Sequence, residues 1–394
     1  MYDFILFENF HSAFHHKYDV YLIARLLKSK GFKVAILNIY GEDKADNYPN
    51  IDLIELPFKY MIPDDKSWID YKGTIIKRLY YVIRFLIQQQ KYMAKVRSFI
   101  EDKAENFYLG SYHLLMPFSF FSLKKPCYYW GLRSSRMTNF GGLFVHNPFL
   151  ALRMIRLRNH FFKNGFQSLF VSNEIIKNEF INIGVPEERL ILREERCIEE
   201  RTSFNSDNKD LEFSLLVIGG LRRQKKIETT IKAFKKASIQ DGYLYLIGKC
   251  QDDSYEKIII DEIGESDNIY RINCRLDYDT FNNYMKRAHF TLFADEKGNS
   301  SVTNGTLMES VINFTPFIAP DYEPYSSYVK KYGIGITYRP GDVEDYARTL
   351  CKARELGYSS FINNITEFQK NIEFDFVANK LYNSLRKREL TFRK

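Results

Sequence analysis

Apolar residues in this chain come in short continuous runs, separated by longer stretches with helical periodicity. The first run, Asp3–Phe7, opens almost at the first residue. Tyr18, Leu22, Ile23, Leu26 and Leu27 follow at spacings that share one helix face, and Gly31 after Lys28 and Lys30 stops the helix. Phe32–Leu37 is the next run, and further strands are predicted at Asp52–Leu56, Asn106–Leu109, Pro126–Leu132 and Ser168–Val171. The polar stretch Glu199–Lys209 interrupts this pattern and reads as a linker. Alternation resumes with a strand at Phe213–Ile218, a helix at Glu228–Lys236 and a strand at Tyr243–Ile247. It continues through Ile269–Asn273, Phe290–Phe293, Phe317–Ala319 and Gly335–Thr337. Strands alternating with helices build parallel α/β sheets. Two such units are expected, residues 1–205 and 206–370, with a last helix at 371–394 that the second sheet does not need.

Composition agrees with that division. The 394 residues suit two domains of about 150–200 residues each. Hydrophobic residues at 45% and charged residues at 27% exclude a disordered chain. The greasiest stretch, Leu114–Leu123, contains Pro117 and two serines and falls short of the roughly 20 apolar residues of a membrane span. The start shows no charged segment followed by an apolar one, so no signal peptide is expected and the predicted location is cytoplasmic. The five cysteines, Cys127, Cys197, Cys250, Cys274 and Cys351, have no zinc spacing and read as reduced thiols.

Two segments carry candidate chemistry. In the first, the strand Leu216-Val217-Ile218 ends in Gly219 and Gly220; Arg222 and Lys225 follow, and a helix begins near Ile227. Glycines let a backbone approach a ligand, a helix start offers N–H groups, and the two cations suit phosphate oxygens. The alternative is a tight turn before a solvated basic helix start. In the second, a polar loop after Phe290–Phe293 runs through Ser301, Thr303, Asn304, Gly305 and Thr306 into a helix that carries Glu309. Hydroxyls and helix amides suit an anion, and a carboxylate one turn inside can accept both hydroxyls of a ribose. The alternative is a capped helix with an acid near its positive end. Both segments follow strands of one predicted parallel sheet, where such folds bind ligands. Together they point to a nucleotide diphosphate.

The second half resembles the nucleotide-binding domain of GT-B glycosyltransferases of the family 4-like group. Gly219-Gly220-Leu221-Arg222-Arg223-Gln224-Lys225 is similar to a G-x-L-R-x-x-K phosphate loop. Thr303–Glu309 with Pro316–Pro320, and then Tyr332–Gly335 and Arg339–Asp342, resemble later landmarks of the same branch. Val171–Glu174 and Gly184–Leu190 look like the end of the family's acceptor domain. The resemblance implies two Rossmann-like domains facing a cleft, with a C-terminal helix crossing back to the first. By that likeness Arg222, Lys225 and Thr303–Thr306 hold the donor diphosphate, Glu309 holds the ribose, and the strand end at Cys274-Arg275-Leu276 faces the nucleobase. The family's common Glu-x7-Glu pair has Ser301 in place of its first acid, and the His frequent after the strand at Cys127–Trp130 is missing. Catalytic candidates are therefore Glu8 and His11 after the first strand, and His113 after the strand at Asn106–Leu109. A base serves inverting transfer, while retaining transfer leans on electrostatic support.

No metal or cofactor is expected beyond the nucleotide sugar. Asp277-Tyr278-Asp279 matches the metal-holding Asp-x-Asp pattern of another glycosyltransferase fold but precedes a helical stretch, where acids are favoured. Charge changes the picture of the first unit. From Lys72 to Lys163 there are 16 Lys and Arg against three acids, a local +13 in a chain that totals +8. Ile75, Ile76, Leu79, Val82, Ile83, Leu86 and Ile87 form an apolar stripe beside Lys77, Arg84, Lys91 and Lys95, and Phe149–Arg158 mixes apolar residues with Arg in the same way. Such segments suit an anionic membrane surface, although solvated basic helix faces give the same pattern. No nucleic-acid motif is present. The expectation is a metal-independent hexosyltransferase, peripheral on the inner face of the cell membrane. It would pass a sugar to a glycan or lipid-linked acceptor in bacterial surface polysaccharide biosynthesis. A non-catalytic membrane- or partner-binding scaffold and a sugar-nucleotide epimerase are the alternatives.

Overall fold

The computed structural model describes residues 1–7, 14–39, 46, 48–58, 75–109, 127–130, 168–171, 173–182, 185–193, 196–198, 203–250, 252–295 and 305–392. The chain divides into two units, Met1–Glu194 with Val377–Lys394, and Glu195–Phe376.

The first unit runs β1 (Tyr2–Phe7), α1 (Phe14–Ser29), β2 (Val34–Asn38), β3 (Asp52–Glu55), α2 (Ile75–Ile100), β4 (Ala104–Leu109), β5 (Cys127–Trp130), β6 (Ser168–Val171), α3 (Glu174–Asn182) and β7 (Leu190–Leu192). The strands form one parallel sheet in the order β3-β2-β1-β4-β5-β6-β7. All of β2 and the last four residues of β1 are buried, which is why both read as unbroken apolar runs. Strand β7 has no counterpart among the sequence-predicted strands: it is three residues long and flanked by charged ones. On α2, Tyr92, Met93, Val96 and Ile100 face the core while Arg84, Ile87, Lys91 and Lys95 are exposed. Ile87, at 51% exposure, belongs to the apolar stripe yet does not join the core.

The second unit runs β8 (Phe213–Ile218), α4 (Ile227–Ala237), β9 (Gly242–Ile247), α5 (Asp253–Ile263), β10 (Ile269–Ile272), α6 (Tyr278–Arg287), β11 (Phe290–Leu292), α7 (Gly305–Ile312), β12 (Phe317–Pro320), α8 (Tyr325–Tyr332), β13 (Gly335–Tyr338), α9 (Val343–Leu356) and α10 (Ile362–Lys370). Its parallel sheet has the order β10-β9-β8-β11-β12-β13. Five of the six β8 residues are buried, as befits a central strand covered on both faces, while β9 alternates and β10 is largely open. The core joins Leu215, Val217, Leu244 and Leu246 of the sheet to Ile231 and Phe234 of α4 and Leu307 and Val311 of α7.

The polar stretch that reads as a linker is, from Ser203 on, packed against this unit. Phe204 lies against Phe314 and Tyr358, Asn205 caps the turn Ser206–Asn208, and Lys209 is buried. Upstream, Ile198 pairs through its backbone with Ile372 and Phe374. The last helix, α11 (Phe374–Phe392), begins in the second unit, and its residues from Val377 on belong to the first. Val377, Ala378, Leu381 and Leu385 are its buried side, and Tyr382 packs on Phe32.

Candidate functional site

In the second sheet the strand order reverses between β8 and β11, and ligands of such sheets bind beyond the carboxyl ends at that point. Thr291 of β11 lies opposite Leu216 of β8, so the loop Gly219–Lys225 emerges beside Asp295. Gly219 adopts φ +98°, and a Cβ on Gly248 would fall 1.9 Å from the Gly219 carbonyl oxygen. Only two glycines allow this approach, which is fastened by the Gly219 N–H on Ile247 O at 3.0 Å and the Leu221 N–H on Lys249 O at 3.1 Å. A Cβ at Gly220 would meet nothing within 4 Å, so the space above it is open.

The turn Arg223–Lys225 then folds the lysine back over the strand end. Lys225 Nζ donates to Ile218 O at 3.4 Å and lies 3.7 Å from the position a Gly219 Cβ would take; Thr306 Oγ1 lies 3.6 Å from the same point. Desolvation holds the Lys225 ammonium below the ordinary lysine range, with Asp295 opposing and Arg222 adding to the shift. The two arginines of the loop differ sharply. Arg223 donates to Asp252 Oδ2 at 2.8 Å and to Ser254 Oγ, and sits over the Tyr255 ring. Asp252 also accepts the Ser254 hydroxyl at 2.6 Å, and that bond, followed by the one from Arg223, pulls its carboxyl down to about 2. Arg222 is exposed and forms no ion pair among the described residues, so it is the one available to a ligand.

One expectation for this loop needs correcting. The start of α4 is not an open set of N–H groups: the Ile227 N–H donates to Tyr255 Oη at 2.8 Å, and that hydroxyl donates to Glu228 Oε2 at 2.6 Å. A tyrosine from α5 and an acid in the first turn occupy the place where an anion would bind.

The facing wall is α7. Gly305 opens it, Thr306 follows, and Glu309 lies one turn deeper, 6% exposed. Glu309 Oε1 is 3.3 Å from Arg196 Nε, and Oε2 accepts the Tyr278 hydroxyl at 3.4 Å. Burial pushes the Glu309 carboxyl above the usual range, while Arg196 and Tyr278 pull it back. Tyr278 itself is 65% exposed. Arg196, Gly248, Asp295 and Tyr278 therefore join the site although none is singled out as a ligand residue by the sequence. A glycine directly after β9 and an acid three residues after β11 were the signals for Gly248 and Asp295. Nothing local marks Arg196.

Residues 199–367 match the family described as Glycosyl transferases group 1, a span that contains every second-unit group above except Arg196. No curated protein matches the chain. Among solved structures, Anabaena Alr3699/HepE in complex with UDP superposes with a TM-score of 0.71 at 13% identity, covering 98% of this chain and 100% of that one. The lipopolysaccharide outer core galactosyltransferase WaaB, apo form, gives 0.64 at 12%, covering 98% and 99%. Sucrose-phosphate synthase from Thermosynechococcus elongatus gives 0.67 at 13%, covering 99% and 100%. The fold is GT-B.

The family match over residues 199–367 supports glycosyl transfer, and the neighbours, all under 25% identical, show the GT-B fold. Of the chain's expected donor residues, Gly219, Gly220, Arg222, Lys225, Gly305, Thr306 and Glu309 gather at the β8–β11 switch point. Arg275 lies on the exposed loop after β10. Ser301, Thr303 and Asn304 fall outside the described residues, as do Glu8, His11 and His113. In sequence, Glu8 and His11 follow β1 and His113 follows β4, the neighbouring strands at the switch point of the first GT-B sheet. The Asp-x-Asp pattern is spent on structure: Asp277 caps α6, accepting the Thr280 N–H at 2.8 Å and its hydroxyl at 2.9 Å, which lowers its pKa. Among the described residues no cluster of His, Cys, Asp and Glu could hold a metal ion, and no helix is long and apolar enough to cross a membrane.

Proposed function

We propose that this protein moves a sugar from a nucleotide-diphosphate donor, bound by the second unit, to a glycan or lipid-linked acceptor in surface polysaccharide assembly. The observation that carries this reading is the convergence of Lys225 Nζ and Thr306 Oγ1 over Gly219, with open space above Gly220 and Glu309 one turn deeper in α7. Arg222 and Lys225 offset the diphosphate charge without a metal ion and support it as it leaves. Glu309 receives the ribose hydroxyls, which must then compete with Tyr278 for Oε2. In an inverting reaction a base comes from Glu8, His11 or His113 of the first unit; in a retaining one the departing phosphate is itself the main aid. The HepE complex makes UDP the first nucleotide to try. UDP-, GDP- and dTDP-sugars are screened for a rise in melting temperature, and at least one should stabilise the protein at millimolar concentration. If none does, the donor assignment fails. Release of free nucleoside diphosphate with an acceptor present separates a transferase from a scaffold, and turnover of donor alone marks an epimerase.

The exposed row Arg84, Ile87, Lys91 and Lys95 on α2 supports a peripheral place on an anionic membrane. Co-sedimentation with vesicles containing anionic lipid should occur at low salt and weaken as salt rises. Absence of binding at every salt concentration rejects this part of the proposal.

A further inference from the structure

The acid of α7 is sunk among Leu307, Met308, Ser310 and Val311, all of them buried. A carboxylate placed there without a cation would take up a proton. Among the described residues Glu309 has one ion pair, Arg196 Nε to Oε1 at 3.3 Å, and both side chains are largely withdrawn from solvent. The backbone that carries the arginine is fixed independently of that pair. Cys197 and Ile198 are buried, the Ile198 N–H donates to Ile372 O at 2.8 Å, and Ile198 O accepts the Phe374 N–H at 2.9 Å. The guanidinium also reaches the start of the helix, where Nη2 lies 3.9 Å from the position a Gly305 Cβ would take. One side chain thus spans the first turn of α7, from Gly305 to Glu309.

Stapling this segment to α7 does not explain the choice of residues. The backbone bonds of Ile198 already fasten it, and a buried ion pair returns little more than its desolvation costs. The start of α7 is moreover the positive end of the helix dipole, the wrong end for a cation. What the pair does provide is a carboxylate of fixed geometry. Oε1 is engaged by Arg196, whereas Oε2 meets the hydroxyl of Tyr278, a largely exposed residue, at a long 3.4 Å. An ionised carboxylate oxygen has room for two hydroxyl donors; a protonated carboxyl is partly spent on its own hydrogen. We propose that Arg196 is a positioning residue for ribose recognition: it holds Glu309 charged and anchored at Oε1, so that Oε2 is offered to the vicinal hydroxyls. This selectivity rests on the donor reading above and refines it: the site takes a ribonucleotide in preference to one without the 2′ and 3′ hydroxyls.

The full chain is tested as wild type, Arg196→Met, Arg196→Gln, Arg196→Lys, Glu309→Gln and the double variant Arg196→Met/Glu309→Gln. Affinity is measured calorimetrically for UDP, or GDP if the donor screen selects it, and for the matching 2′,3′-dideoxy nucleotide. Wild type should favour the ribonucleotide by about tenfold or more, the worth of hydrogen bonds to a charged group. In Glu309→Gln and in Arg196→Met that ratio should fall to about threefold or less, with affinity for the dideoxy nucleotide unchanged. The double variant should lose no more than either single one, because both residues act through one carboxylate. Arg196→Lys should recover most of the ratio. Arg196→Gln keeps a polar donor and carries the test, with the same expected loss, if Arg196→Met does not fold. A ratio unmoved in Arg196→Met and Arg196→Gln overturns the proposal. So does an equal loss of affinity for both nucleotides, which is what a purely structural ion pair would give. Equal affinities in wild type overturn it as well and leave the diphosphate site standing. A wild type that binds neither UDP nor GDP overturns the donor reading itself, and the ribose selectivity with it.

Discussion

Two lysines of the second unit have ammonium groups held below the usual range by burial, and they sit at opposite ends of the same sheet. Lys209, at the amino ends of the strands, donates to Ala288 O at 2.6 Å and Thr315 Oγ1 at 2.9 Å, and lies over the Tyr358 ring. Desolvation brings it to about 7 against the opposing pull of Asp210. Its neighbour His289 accepts the Ser214 N–H through Nδ1 at 3.1 Å and is lowered to about 4, first by desolvation and then by Lys209. Every member of that group has a partner: Lys209 is tied to Ala288 and Thr315, and Ser214 to His289 and Arg287. Lys225, at the carboxyl ends, makes one long hydrogen bond among the described residues and faces open space over Gly220. A displaced titration therefore does not by itself mark a functional site. What separates the buttress from the candidate site is how many of the donor's protons already have acceptors.

The contrast can be broken experimentally at either end. Replacing Arg222 and Lys225 together by Ala should lower UDP affinity by about a hundredfold or more, with the melting temperature unchanged. Tight binding by that double variant, measured calorimetrically, would erase the distinction. Lys209→Met should do the reverse, costing about 2–4 kcal/mol of stability in denaturant unfolding by stranding Ala288 O and Thr315, and leaving UDP affinity alone. His289 sharpens the same end through pH. Its folded pKa, about 4, lies below the ordinary 6.5, so the unfolded chain binds more protons between those values. Stability should be fully present above about pH 6.5 and should fall as pH drops toward 4, by up to about 3 kcal/mol. In His289→Gln that slope should flatten; an unaltered slope would assign the loss to other groups. The smallest effect is expected at Gly220→Ala. The fold has room for that methyl, so melting should not change, while a ligand in the open space should bind about tenfold more weakly. Equal affinity in the variant would place the ligand elsewhere.

The strands were legible because burial on both faces turns them into apolar runs. Phe213–Ile218 and Ser168–Val171 coincide with the sequence expectation to the residue. Leu190–Leu192 was not, because three apolar residues among charged ones show no period. At the site, Gly219, Arg222 and Lys225 stand within one loop whose composition announces a charged, close-approach turn. Arg196 meets Glu309, and Tyr255 meets Ile227, only through the fold, and no local pattern encodes either pairing. The sequence could not tell Arg222 from Arg223 either: the difference lies in Asp252 and Ser254, which reach only one of them.

The first unit is built from two stretches of chain separated by the whole of the second. Residues that cover Phe32 and complete that unit's packing, Tyr382 among them, leave the ribosome after the whole of the second unit. The second unit is contiguous and can close as soon as residue 376 has emerged. During synthesis, then, the unit that starts first must wait for the helix that follows the second unit, and the unit that starts later can close before it.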